Sequence, residues 1–299
     1  MNKNKLEDIA LIASVHTVQV DSADLPVIQE GETRFIKSRL IRNRQTGEIT
    51  SKNIINPHNY EYQEILNYSK YKTVMQELTE TVGLSDYSYS RIDFRLDSYE
   101  DNYLEYFKLN SLLTGLLTMK YRFKNNEPTE STGQRTRLKC SVYVKNQRIA
   151  VEYYDKKKES LDRFPCKARL EFRELRADGK TPEDVAHLWF ARLDNLAGYY
   201  NVLQLRYNKS LFEHYQYWLE ANKLTTSGSN FLTAFVRENQ DAIFSIRQLE
   251  KFCEMCGVKN PASRAKNIKK TCNIECFSYN DIKSYINIIK VAITSFLEQ

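Results

Sequence analysis

Two periodicities divide the chain. In roughly the first 175 residues, apolar and polar positions alternate in short runs, whereas after Thr181-Pro-Glu-Asp184 they recur at helical spacing to the end. Residues 9–20 are rich in β-branched side chains and predict a strand. Arg91-Ile-Asp-Phe-Arg-Leu-Asp97 places Ile92, Phe94 and Leu96 on one face and Arg91, Asp93, Arg95 and Asp97 on the other. Residues 139–144 and 148–154 predict paired strands across Lys145-Asn-Gln147, and Lys167-Ala-Arg-Leu-Glu-Phe-Arg173 alternates again. Helical stretches at 60–82 and 103–117 lie between these strands and can cover the apolar face. The fold class expected is α+β: a half-buried antiparallel sheet with one polar, chemically active face.

The helical tail begins with one or two amphipathic helices over 183–221 and breaks at Thr225-Thr-Ser-Gly-Ser-Asn230. That break predicts two domains, 1–224 and 230–299. Within the second, residues 245–255, a turn over Gly257-Val-Lys-Asn-Pro261 and residues 262–270 read as helix, turn, helix. Ser278 is a natural N-cap for a last helix over 279–297.

Composition narrows the class without choosing a function. The longest apolar runs, such as Ile288 to Ile293, are interrupted by Lys290 and fall short of the roughly 20 residues that span a bilayer. Residues 1–8 carry charge but no apolar core of signal-peptide length, so a cytoplasmic protein with reduced cysteines is expected. A net charge of +6 is permissive for nucleic acid. Its placement is more suggestive, because cations cluster at Gln134–Lys139, Lys156–Lys158, Lys167–Arg176 and Lys266–Lys270. Each cluster taken singly also reads as a solvated face.

If Ile149, Val151 and Tyr153 share the apolar face, then Glu152 and Tyr154 share the polar one with Asp93 and Glu171. A tyrosine hydroxyl, with pKa near 10, becomes a nucleophile once lysines such as Lys156 and Lys157, or a metal, stabilise its anion. Asp93 and Glu171 are oxygen ligands of the type Mg²⁺ or Mn²⁺ prefers. The same residues also fit a plain account, in which Tyr154 packs and Asp93 or Glu171 forms a cross-strand pair with Arg169 or Arg91.

The order Ser90-Arg-Ile-Asp-Phe-Arg-Leu-Asp97, then Tyr154-Asp-Lys-Lys-Lys-Glu159, then Arg169-Leu-Glu-Phe-Arg173 resembles rolling-circle replication initiators of small Gram-positive plasmids. It is similar, too, to the replication endonucleases of filamentous phages. The resemblance covers about residues 85–176 and implies a DNA nicking and joining domain over 1–224. By position it implies Tyr154 as the nucleophile, Lys156 as its accompanying lysine, and Asp93 and Glu171 as ligands of Mg²⁺ or Mn²⁺. Arg91, Lys157, Arg169 and Arg173 become candidate DNA contacts, and a host helicase a further partner. The chain departs from many tyrosine nickases in having no His-hydrophobe-His pair: its histidines are His16, His58, His187 and His214.

The implied reaction is a transesterification at a replication origin. It leaves a 5′-phosphotyrosine and a free 3′ hydroxyl and needs no nucleotide cofactor, in keeping with the lack of a Gly-x-x-x-x-Gly-Lys loop. In the tail, Cys253-x-x-Cys256 and Cys272-x-x-x-Cys276 are spaced much as in a zinc site, but the helical stripe Leu249, Phe252, Cys253, Cys256 favours core cysteines. The basic helix with Lys266, Lys269 and Lys270 is then the candidate for recognising origin DNA. The competing readings are a non-catalytic DNA-binding regulator and a conjugative relaxase with the same chemistry.

Overall fold

The computed structural model describes residues 9–28, 34–61, 65, 67–100, 103–125, 141–157, 165–224 and 229–299. The basic run 134–139, Lys158 and the start of the break at 225–228 lie outside the described residues. The chain forms two compact units that are not contiguous in sequence. The first comprises Met1–Phe107, Tyr121–Asp194 and Tyr285–Gln299, and the second Lys108–Lys120 and Asn195–Ser284. The expected break near 224–230 therefore falls inside the second unit.

The first unit is built on one antiparallel sheet. Its strands are β1 (Ile12–Ser22), β2 (Ile36–Arg42), β3 (Ile49–Ile55), β4 (Tyr87–Ser98), β5 (Lys124–Asn125), β6 (Ser141–Lys145), β7 (Ile149–Asp155) and β8 (Ala168–Glu174). They lie in the order β2-β3-β1-β4-β8-β7-β6-β5, so β4 and β8 are central and β2 is an edge. Register is set by the alternation read in the sequence. Phe94 pairs with Phe172 and Leu96 with Leu170, while Val151 meets Phe172 and Tyr153 meets Leu170 from the other side.

Helices cover that apolar face. They include α1 (Pro57–Glu61), α2 (Tyr68–Thr81) and α4 (Pro182–Leu193), together with the opening residues of α3 (Tyr103–Tyr121), whose Phe107 ring meets that of Tyr153 at 4.9 Å between centroids; residues 108–120 of α3 belong to the second unit. In α4, Trp189 stacks on Phe172 at 4.6 Å between ring centroids, and Thr181 closes a capping box with Asp184 at the helix start. The stretch expected as helix over 60–82 contains the end of α1 and all of α2, which starts anew where the Asn67 side chain accepts from the Lys70 N–H at 2.8 Å.

The second unit is helical: α5 (Ala197–Ala221), α6 (Ser229–Glu238), α7 (Ile246–Met255) and α8 (Pro261–Thr271), with α9 (Tyr279–Glu298) beginning in it. Tyr215, Phe235 and Phe252 form its aromatic centre, with ring centroids 5.0–6.0 Å apart. The helix-turn-helix reading matches α7 and α8, and Ser278 caps α9 by accepting from the Asp281 N–H at 3.3 Å. Cys253, Cys272 and Cys276 belong to the apolar core, and Cys256 packs against it. Burial pushes the Cys253 thiol up to about 11 and that of Cys256 up to about 12, so both are neutral at pH 7. No described helix is long and apolar enough to cross a membrane.

Candidate active site

Strand pairing decides which side chains meet. Across β7 and β8, Glu152 is opposite Glu171 and Tyr154 opposite Arg169. Across β4 and β8, Asp93 is opposite Arg173, Arg95 opposite Glu171 and Asp97 opposite Arg169. Tyr154, Asp93 and Glu171 therefore share one face, as the alternation implied.

That face is not half-solvated, contrary to expectation. Asp93, Asp97 and Glu171 are each 1 % exposed, and Arg95 and Arg169 are 4 % and 5 % exposed. Burial is tolerable because arginines and carboxylates are interleaved. Arg169 donates through Nε and Nη2 to both oxygens of Asp97, at 2.6 and 2.9 Å. Arg91 Nε donates to Asp93 Oδ1 at 2.8 Å. Arg173 spans Glu171, at 3.0 Å from Nε, and Glu152.

At the centre, the Tyr154 hydroxyl donates to Glu171 Oε1 at 2.8 Å, and His16 Nδ1 lies 3.5 Å from the same oxygen. His16 reaches it because β1 bulges between Val15 and Thr17, which turns the extra residue onto the polar face. Lys156 Nζ stands 5.6 Å from the centroid of the Tyr154 ring. Tyr154 itself is 8 % exposed.

Desolvation works against a charged Glu171, but His16, Arg173 and Arg169 outweigh it and hold the carboxyl at about 2. Burial lowers His16 to about 4, so at pH 7 the imidazole is neutral and the two arginines keep Glu171 ionised. For Asp93 the balance is reversed: burial raises its carboxyl above the ordinary value despite Arg91 and Arg173.

The donor set does not fit a divalent cation as it stands. One Asp93 oxygen accepts from Arg91 Nε and the other from Arg91 Nη2, while Glu171 is shared between Tyr154 and Arg173. No group of three His, Cys, Asp or Glu is placed to hold a metal ion among the described residues. The arginines expected to contact DNA, Arg91, Arg169 and Arg173, are likewise committed to carboxylates. Lys157 donates its backbone N–H to the Lys167 carbonyl at 3.1 Å, beside the site. Lys266 and Lys270 are exposed on α8 in the second unit, and Lys269 is partly buried there.

Sequence reasoning missed two members of this neighbourhood. Tyr143 lies opposite Glu152 on β6, with the Arg173 guanidinium 5.4 Å from its ring centroid, and is more exposed than Tyr154. Its place in the alternation of β6 was the available signal. His58 accepts from the Ile65 N–H at 3.0 Å and its Nε2 bonds the Val15 carbonyl at 3.0 Å, so it holds the bulge of β1 from a helix that carried no such signal.

The fold and site define an α+β protein whose buried sheet face carries a tyrosine bonded to a carboxylate among arginines. Among solved structures, the chain is similar to that of a rolling circle replication initiator protein from Geobacillus stearothermophilus. Identity is 15 %, the match covers 60 % of this chain and 84 % of that one, and the TM-score is 0.29. No family model and no curated protein matches the chain.

Proposed function

We propose that this face cuts and rejoins a DNA strand, with Tyr154 as nucleophile, and that the protein initiates rolling-circle replication. The observation that carries the reading is the Tyr154 hydroxyl held at 2.8 Å from an ionised carboxylate, with a lysine over the ring. The Tyr154 oxygen attacks the phosphorus, the bond to the 3′ oxygen breaks, and the strand's 5′ phosphate stays on Tyr154. The phenolic proton passes to Glu171 as the new bond forms and then to the departing 3′ oxygen. Glu171 is a weak base, so the transfer accompanies attack instead of preceding it. Lys156 stabilises the developing phenolate, and the reverse step reseals the strand without an energy source. No step is routed through a metal ion, because the carboxylates that would hold one are engaged by arginines.

One observation favours a second reading, a DNA-binding regulator in which Tyr154 only packs: its side chain is 8 % exposed. Incubating the protein with single-stranded oligonucleotides that tile its own replicon, followed by denaturing electrophoresis and peptide mapping, separates the two. The nicking reading expects a covalent adduct on Tyr154 that survives in Tyr143→Phe and vanishes in Tyr154→Phe. An adduct mapped to Tyr143 would reassign the nucleophile, and tight binding without any adduct would leave the regulator.

A further inference from the structure

The sheet's outer edge handles charge differently from its centre. Residues 34–55, which hold β2, β3 and their turn, carry Arg34, Lys37, Arg39, Arg42, Arg44 and Lys52 against the one acid Glu48. That is a net +5, beside +6 for the whole chain. Lys37, Arg39, Arg42 and Arg44 are exposed and make no ion pair among the described residues. The turn between the strands is well built: the Asn43 side chain accepts from the Gln45 N–H at 2.9 Å, and Gly47, at φ +78°, donates to the Asn43 carbonyl at 2.9 Å.

Register places part of this charge on the polar face. Arg91 pairs with Gln19, Gln19 with Ile54 and Ile54 with Lys37, while Lys52 pairs with Arg39. Lys37, Arg39 and Lys52 therefore face the same way as Tyr154 and Glu171, with β2 five strand steps from β7, about 24 Å measured along the sheet. Lys37 and Arg39, two residues apart, stand about 7 Å from one another, close to the separation of neighbouring phosphates on a DNA strand. Cations on a sheet edge also deter edge-to-edge pairing, which would account for Lys37 and Arg39. It does not account for Arg44 in the turn, nor for a concentration that leaves the rest of the chain nearly neutral.

We propose that the β2–β3 hairpin is a DNA-backbone arm, binding the phosphates of the strand that runs from the Tyr154 site across the sheet. The inference deepens the nicking reading but is tested apart from it. Binding of the full chain to a labelled 30-nucleotide mixed-sequence oligonucleotide, single-stranded in one arm and duplex in the other, is followed by anisotropy across a salt series. The variant is K37Q/R39Q/R42Q/R44Q, with R42Q/R44Q as a milder version confined to the end of the hairpin.

Each phosphate neutralised contributes about 0.7 to the salt slope on single strands and about 0.9 on duplex. The fourfold variant is expected to lose about 3 from that slope and at least tenfold in affinity, and the double variant about half the slope change. The arm showing the larger loss identifies the form of DNA that lies on the hairpin. An unchanged slope and affinity in both arms would overturn the proposal and point to an acidic protein partner, and so would a wild-type chain that binds neither DNA. A normal loss of binding in a protein that forms no tyrosine adduct would uphold the arm and sink the nicking mechanism; an adduct with unchanged binding would do the reverse.

Discussion

The centre and the edge of one sheet face treat the same side chains in opposite ways. On β4 and β8 every arginine is paired with a carboxylate, among them Arg169 with Asp97 and Arg173 with Glu171 and Glu152 of β7, so the charges cancel and the cluster is fixed in place. On β2 the cations Lys37, Arg39 and Arg42 are exposed and make no ion pair among the described residues. The difference teaches that charge count says little about function until its pairing is known. Paired charge builds a rigid, preorganised site, and unpaired charge provides a field for a polyanion.

The comparison is tested most severely at Arg173. Replacing it with Met leaves Glu171 and Glu152 buried without their cation, and a loss of about 3 to 5 kcal/mol is expected in urea unfolding. A loss below about 1 kcal/mol would mean that the central pairs are as dispensable as surface ones. Next comes acid. His16 and His58 are lowered by burial to about 4 and about 2, so the folded protein takes up their protons less readily than the unfolded chain, where they titrate near 6.5.

Stability from this source is complete above pH 6.5 and falls below it, by about 2 kcal/mol for each histidine at pH 5. Glu171, held down at about 2, adds a further loss as pH falls from 4.5 toward 2. Thermal melts from pH 7.5 to 5 that coincide would contradict this, and Tyr154→Phe should leave the trend intact. That substitution removes one hydrogen bond to a carboxylate and is expected to cost about 1 to 2 kcal/mol while abolishing the adduct. Smallest of all, Arg39→Gln should leave the melting temperature unchanged, which a differential scanning measurement decides.

Much of the centre was legible because its alternation is strict. Asp93, Tyr154 and Glu171 were placed on one face from the period of two alone, and pairing of β4, β8 and β7 brings them together. What the alternation does not specify is who pairs with whom, so the arginines read as DNA contacts prove to be partners of the carboxylates. The hairpin was not legible at all. Ile36-Lys-Ser-Arg-Leu-Ile-Arg42 and Ile49-Thr-Ser-Lys-Asn-Ile-Ile55 lack a clean apolar alternation, because in β2 only Ile36 is buried and in β3 two of the three buried positions, Ser51 and Asn53, are polar. The His16 bulge was equally hidden, since one extra residue in a β-branched run leaves no mark on composition.

The discontinuity of the first unit sets a clock on its biosynthesis. Tyr285, Ile289, Ile293 and Phe296 of α9 are buried, and the segment from Tyr285 onward belongs in one unit with the sheet made from residues 12–174. A ribosome adding roughly 5–20 residues per second has translated the entire second unit before this helix appears. The sheet thus waits, partly uncovered, until the whole of the second unit has been made.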